Sequence, residues 1–145
     1  HKAIRRQRQM CIRDRPYHSV CTTSTHDMTP LRNWWKEDPE KTQRYYNHVL
    51  QRIGEAPDEC TAEIVAQIIS NHLKTRSMLT IIPLQDWFAM DDSIKRKDIE
   101  SERINVPANS THYWRYRMHI TLEQLLQADN LNNKIVSLIK EAGRK

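Results

Sequence analysis

"SVCTTSTHDMTPLRNWW", residues 19–35, joins a short apolar run to a polar turn that contains the adjacent pair His26 and Asp27. The run "YHSVCTT", residues 17–23, is rich in β-favouring residues and too short for a helix, so we predict a buried strand. In α/β proteins, catalytic groups meet the substrate just beyond the carboxyl ends of strands. The pair is therefore either part of a chemical site or only a turn.

A helix is predicted to follow this stretch. Asp38 is a suitable N-cap, Pro39 occupies the first helical position, and Gly54 is the predicted stop. Between them, apolar side chains recur at helical spacing: Tyr46, Val49, Leu50 and Ile53.

Two more helical segments and one more strand are predicted downstream. A helix begins near Thr61 and has one apolar side, formed by Ile64, Val65, Ile68, Ile69 and Leu73. The run "SMLTIIPL", residues 77–84, is predicted as a second buried strand closed by Pro83, and residues 85–112 as an irregular loop. A last helix opens with a capping box of Thr121 and Gln124 and runs through Ile139.

Continuous apolar strands alternating with helices predict parallel βα units, hence an α/β fold. His26 and Asp27 follow the first predicted strand, and Gln85 and Asp86 follow the second. Because the carboxyl ends of parallel strands lie on one side of a sheet, the two polar pairs are predicted to share a rim. Two parallel strands close neither a sheet nor a barrel, so the segment is predicted to be part of a larger fold.

Charge and composition argue against two classes of partner. The net charge is +5, but residues 1–15 hold six Lys or Arg and one Asp, so the remaining residues are neutral overall. Without a basic stripe along the fold, no nucleic-acid partner is expected. No apolar stretch is long enough to span a membrane or to form a signal peptide, so a cytoplasmic protein without a membrane partner is expected.

Residues 1–16 are predicted to be an unassigned basic tail, either disordered, a linker or foreign sequence, with a basic binding arm as the lesser alternative. The three cysteines, Cys11, Cys21 and Cys60, are odd in number and lack CxxC spacing, so reduced thiols are expected. The histidines show no metal-ligand spacing, and no metal site is predicted.

Four segments together, in this order and spacing, resemble the 4-alpha-glucanotransferases, also called amylomaltases or disproportionating enzymes, of glycoside hydrolase family 77. The segments are "THDMTPLRNWW", "SMLTIIPLQD", "ERINVPAN" and "YWRYRM". The resemblance covers residues 17–144, and residues 17–145 are assigned to this catalytic barrel. The family pattern usually has Gly where Asn33 stands and often has Gly where Ala108 stands.

The resemblance implies a (β/α)₈ TIM barrel of the alpha-amylase clan, of which this chain would supply about strands seven and eight with their helices. It implies a retaining mechanism with a nucleophile and an acid/base carboxyl roughly 5 Å apart. Those two groups lie on earlier strands of the family's barrel, upstream of this chain. Asp27 matches the clan's third carboxylate, which stabilises the transition state, and His26 matches the His that precedes it.

The implied substrates are α-1,4-glucans and malto-oligosaccharides, with glucose or maltose as acceptor, and no cofactor is implied. Asn105 either contacts sugar or belongs to a structural turn. Asp86 either binds substrate or caps the following "WFAM" turn.

Three tryptophans and two arginines could contact either sugar or the rest of the protein. Trp34 and Trp35 are expected to pack in the core rather than to stack on sugar rings. Trp114, Arg115 and Arg117 are expected to lock the long loop to the barrel rather than to touch substrate.

Two classes of function stay open at this point. The chain is either part of a transglycosylase or a non-catalytic carbohydrate-binding or interaction fragment that kept the barrel rim. Hydrolysis of the same glucans is a third outcome, because water competes with the acceptor at a retaining site.

Overall fold

A computed structural model describes residues 16–144. Within that range, strand β1 (Val20–Cys21) and strand β2 (Leu79–Thr80) form a parallel two-stranded sheet. Val20 pairs with Leu79 and Cys21 with Thr80. The parallel arrangement confirms the sequence prediction, but each strand has two residues and is shorter than predicted. The predicted tail falls on residues 1–16 and lies, apart from Pro16, outside the described residues.

Six α-helices are present in the described part of the chain: α1 (Leu31–Glu37), α2 (Pro39–His48), α3 (Ala62–Leu73), α4 (Leu84–Phe88), α5 (Leu122–Leu126) and α6 (Asp129–Glu141). A 3₁₀ turn spans Glu100–Glu102. This turn, and helix α4 apart from Leu84, lie inside the segment predicted to be an irregular loop. None of these helices has the length and apolar character required to cross a membrane.

Helix α2 begins where the sequence predicts and ends earlier. The Asp38 carboxylate accepts a hydrogen bond from the backbone N–H of Lys41 at 3.1 Å, which confirms the cap. The helix ends at His48 rather than at Gly54 because Gln51 adopts a left-handed backbone with φ of 56°. Ile53, predicted to lie on the apolar side, is consequently 99% exposed.

The other predicted caps are confirmed, but the last helix is interrupted. Thr61 caps α3 through the N–H of Ile64, and Thr121 with Gln124 forms the capping box of α5. The predicted continuous helix is divided between α5 and α6 because Ala128 has a non-helical backbone, with ψ of 60°.

Helix α3 supplies much of the core. The buried apolar side chains come from several elements: Leu31, Trp35, Leu50, Cys60, Ile64, Val65, Ile68, Ile69, Leu73, Ile82, Phe88, Ala89, Met90 and Leu131. Trp35 is 2% exposed, and its indole donates a hydrogen bond to the carbonyl of Pro57 at 2.8 Å. Trp34 packs against this core with its ring edge-on to Tyr45. Both tryptophans therefore have the predicted packing role.

The sheet leaves apolar side chains exposed. Val20, Leu79 and Ile81 are each about half exposed, although they belong to predicted buried strands. The described part of the chain thus contains no partner layer for this surface. Cys21 and Cys60 are buried free cysteines, and Cys11 lies outside the described residues. That the thiols are reduced stays a prediction.

Candidate active site

His26 and Asp27 lie in the loop of residues 24–30, which forms most of the connection between β1 and α1, residues 22–30. The imidazole Nε2 of His26 is 3.2 Å from Asp27 Oδ2, and each side chain is 53% exposed. The pair therefore faces solvent just beyond the carboxyl end of the strand, where the sequence predicts a site.

Asn105 reaches the same carboxylate from a distant part of the chain. Its amide Nδ2 donates a hydrogen bond to Asp27 Oδ1 at 2.7 Å. One oxygen of Asp27 is thus held by Asn105, and the other lies beside His26. The structure brings together these three predicted site residues.

Trp114 is the site residue that sequence reasoning missed. Its ring centroid lies 5.0 Å from that of His26, the planes are inclined by 46°, and the indole is 58% exposed. The prediction that Trp114 locks the long loop is compatible with this contact, but the contact partner is the site itself. The alternation of aromatic and basic residues in "YWRYRM" is visible in the sequence, but it does not indicate that Trp114 contacts His26.

Asp86 is the predicted site residue that the structure places in the interior. It lies within α4 and is 1% exposed. Its Oδ2 accepts a hydrogen bond from the Thr23 hydroxyl at 2.5 Å, and its Oδ1 accepts one from the Leu31 N–H at 2.9 Å. The alternative that it caps the "WFAM" turn is wrong, because the N–H that it caps belongs to the start of α1. Burial raises the pKa of this carboxyl, while its hydrogen bonds oppose the shift.

A buried ion pair joins the two segments that meet at Asp27. Arg32 of α1 and Glu102 of the 3₁₀ turn approach to 2.8 Å, with side chains 6% and 3% exposed. Alongside them, the Asn33 amide donates to Glu100 at 3.0 Å. Arg32 is five residues beyond Asp27 and Glu102 is three residues before Asn105, so the pair fixes one segment against the other.

A cavity of about 360 Å³ opens beside the site. Its lining is mostly apolar and includes the sheet and the site loop: Val20, Thr22, Ser24, Thr25, His26, Met28, Pro30, Ile81, Pro83, Gln85 and Ile104. The hydrogen-bonding groups of the site therefore lie next to an apolar wall. Among residues 16–144, no three His, Cys, Asp or Glu side chains come together as a metal site.

Comparisons with known proteins identify the family. The family model described as 4-alpha-glucanotransferase matches residues 2–123. The chain is 39% identical over 128 residues to 4-alpha-glucanotransferase DPE2 of rice (Oryza sativa subsp. japonica), covering 88% of this chain and 14% of the rice protein. It is 31% identical to 4-alpha-glucanotransferase of Chlamydia trachomatis, covering 83% of this chain and 22% of that protein.

A solved structure supports the same assignment at the level of the fold. Amylomaltase from Streptococcus agalactiae, determined in complex with acarbose, superposes with a TM-score of 0.63 at 18% identity, covering 87% of this chain and 22% of that one. The α/β segment described above is thus similar in fold to part of an amylomaltase. The chain spans less than a quarter of the length of each of these relatives, and it belongs to the 4-alpha-glucanotransferase family.

Proposed function

We propose that this chain is the C-terminal part of a 4-alpha-glucanotransferase, supplying about strands seven and eight of a (β/α)₈ barrel. The full-length protein would transfer a segment of an α-1,4-glucan to the 4-position of glucose or another glucan, with retention of configuration. The observation that carries the proposal is the Asp27 carboxylate, held by Asn105 at 2.7 Å and flanked by His26 at 3.2 Å, in a chain of this family.

The proposed role of Asp27 is electrostatic. As the glycosidic bond breaks, the sugar ring flattens and gains positive charge. A fixed carboxylate then binds the ring's hydroxyls more tightly than in the ground state, and such a difference accelerates the reaction. In this proposal the nucleophile and the acid/base come from chain outside residues 1–145, and His26 and Asn105 fix Asp27 and bind hydroxyls.

The arrangement of the sheet supports a position within a barrel. The two strands are parallel, and the site loop leaves the carboxyl end of β1, as in (β/α)₈ enzymes. Val20, Leu79 and Ile81 expose apolar surface that neighbouring strands and the barrel interior would cover. The relatives are several times longer than this chain and have room for the remaining strands.

The proposed substrates are α-1,4-glucans and malto-oligosaccharides, with glucose or maltose as acceptor. The cytoplasmic location, the lack of a cofactor and the lack of a nucleic-acid or membrane partner stay predictions. They rest on the sequence and on the family resemblance.

Maltotriose disproportionation by the full-length protein tests this proposal. Two molecules of maltotriose should give maltopentaose and glucose, with the new linkage in the α configuration. The isolated chain should give no product above the blank, since the proposal places two essential carboxyls elsewhere. Full-length protein that only binds maltotriose would favour the carbohydrate-binding alternative, and release of glucose and maltose without longer products would identify a hydrolase.

A further inference from the structure

The loop of residues 24–30 is tied at both ends to one carboxylate. Thr23 immediately precedes the loop and Leu31 immediately follows it, and both donate hydrogen bonds to Asp86. The two bonds use different oxygens of the carboxylate, at 2.5 Å to Thr23 and 2.9 Å to Leu31. Asp86 thus links the exit from β1 to the first turn of α1.

Between these two ties the loop is buried at its end residues, Ser24 and Pro30, and exposed in its middle. The four residues 25–28 are exposed, and they include His26 and Asp27. A backbone hydrogen bond from Met28 to Thr25, at 3.0 Å, closes the turn locally. A local turn does not fix its own position relative to the rest of the molecule, so the fixed ends, together with the hydrogen bond from Asn105 to Asp27, determine where the pair lies.

We propose that Asp86 is a positioning residue that clamps the two ends of the loop 24–30 and so holds His26 and Asp27 in their catalytic orientation. The part of this inference that concerns activity rests on the proposed function. Asp86 acts through the loop and makes no contact with substrate.

The choice of an aspartate fits this role. Fully buried carboxyls are rare because removal from water disfavours the charged form, and burial raises the pKa of Asp86 accordingly. Two acceptor oxygens on one short side chain nevertheless satisfy a hydroxyl and an N–H that are 8 residues apart in sequence. An asparagine has the same shape: its amide oxygen would accept from the Leu31 N–H, and its NH₂ would donate to the Thr23 hydroxyl.

The experiment compares Asp86→Ala and Asp86→Asn in the full-length protein. Asp86→Ala removes both ties and should lower kcat for maltotriose disproportionation by up to about 10²-fold, as expected when a catalytic group is misplaced by about 1 Å. KM should change little, and amide hydrogen exchange should accelerate at Met28, whose N–H closes the turn, and at Leu31, whose N–H is bonded to Asp86. Asp86→Asn should retain kcat within about threefold of wild type, because both hydrogen bonds are preserved.

Asp91→Ala is the matched control. Asp91 is also buried, at 5% exposed, and its carboxylate accepts hydrogen bonds from Ser93 and Asn130, far from the loop in sequence. This variant should lower the melting temperature while leaving kcat and exchange in residues 24–30 unchanged. If Asp86→Ala does not fold, Thr23→Val removes one tie with little change in shape and should lower kcat by an intermediate amount.

Several results would overturn the inference. The first is an increase in KM with kcat preserved in Asp86→Ala. The second is a decrease in kcat in Asp86→Asn as large as that in Asp86→Ala. The third is unchanged amide hydrogen exchange in the loop of Asp86→Ala. An unchanged kcat in the Thr23→Val variant would also overturn the inference. Absence of transfer by the wild-type protein would instead refute the proposed function, and the exchange measurement would still decide whether Asp86 clamps the loop.

Discussion

The amide Nδ2 of Asn105 lies 2.7 Å from Asp27 Oδ1, although 78 residues separate the two side chains in sequence. The long connection after β2 therefore returns to the loop after β1 and completes its site. The Asp27 carboxylate accepts a hydrogen bond on one oxygen, and the His26 imidazole flanks the other. These contacts hold it in one orientation, as electrostatic catalysis requires.

Replacement of Asp27 by Asn tests the role of its charge. The amide keeps the size of the side chain and an oxygen that accepts from Asn105, so the fold and melting temperature should be preserved. In the full-length enzyme, kcat should fall by about 10²–10³-fold, the loss found when one preorganised electrostatic contact is removed. KM should move less than kcat, because the interaction is made mainly in the transition state.

His26→Ala should have a milder effect, because the carboxylate stays in place. If Asp27 served only to form the turn, Asp27→Asn would be nearly neutral, since Asn suits such positions about as well as Asp. A stable Asp27→Asn protein with near-normal kcat would therefore show that His26 and Asp27 are only a turn.

Asn105→Ala should lower kcat by about tenfold, the equivalent of one hydrogen bond to a charged group. Its effect should be smaller in the Asp27→Ala background, which has no acceptor for the Asn105 amide, with a coupling free energy of about 0.5–3 kcal/mol in a double-mutant cycle. Asn109→Ala is the control, since Asn109 lies in the same loop and its side chain accepts from Thr111. Additive effects of the Asn105 and Asp27 substitutions would mean that the contact has no role in turnover.

Trp114→Ala should lower kcat to an extent similar to His26→Ala, because removal of the indole frees the imidazole from its ring contact. Aromatic pairs of this kind contribute about 0.5–1.5 kcal/mol, so the effect should be a few-fold to about tenfold. Trp114→Phe should preserve most of the activity. Tyr113→Ala is the control, since Tyr113 is 69% exposed and packs on Arg115. Equal kcat values for wild type and Trp114→Ala would contradict the prediction.

Glu102→Ala should destabilise the protein by about 3–5 kcal/mol in chemical denaturation, because it leaves Arg32 buried without its partner. The exposed pair of Lys36 and Glu59 provides the comparison. Glu59→Ala should lower the free energy of unfolding by less than about 1 kcal/mol, as is usual for solvent-exposed ion pairs. Similar costs for the two substitutions would show that the buried pair has no special role in fixing the two segments.

Local features of the fold are predictable from the sequence. The caps at Asp38, Thr61 and Thr121 depend on residues three positions apart, and all three are present. The end of α2 is not predictable in this way, because the chain turns at Gln51 in a left-handed conformation that Gln rarely adopts.

The composition of the site is predictable only in part. His26 and Asp27 are identified by their position after a strand, and Asn105 by the family resemblance. The contact of Trp114 with His26 and the burial of Asp86 depend on how distant segments pack, for example through the Arg32 and Glu102 ion pair. A carboxylate just beyond a strand usually faces solvent, so sequence reasoning placed Asp86 on the rim.

The two buried aspartates should affect stability in opposite ways as the pH changes. Burial raises the pKa of Asp86, whereas the hydrogen bond from the Ser93 hydroxyl lowers the pKa of Asp91, each from an ordinary value of 3.8. At Asp86 the folded protein retains its proton at higher pH than the unfolded chain, so this contribution to stability is lost as the pH rises from 3.8 through the raised pKa. At Asp91 the unfolded chain binds the proton more tightly, so the contribution is present above 3.8 and is lost as the pH falls through the lowered pKa.

Denaturant unfolding of the full-length protein separates these two contributions. The free energy of unfolding is measured from acid to neutral pH for wild type, Asp86→Asn and Asp91→Asn. Each asparagine cannot titrate, so each difference isolates one carboxyl. With increasing pH, the free energy of unfolding of wild type should decrease relative to Asp86→Asn and increase relative to Asp91→Asn. Differences of the same sign for both pairs would contradict the prediction, because one of the two carboxyls would then have a pKa shift opposite to the direction given above.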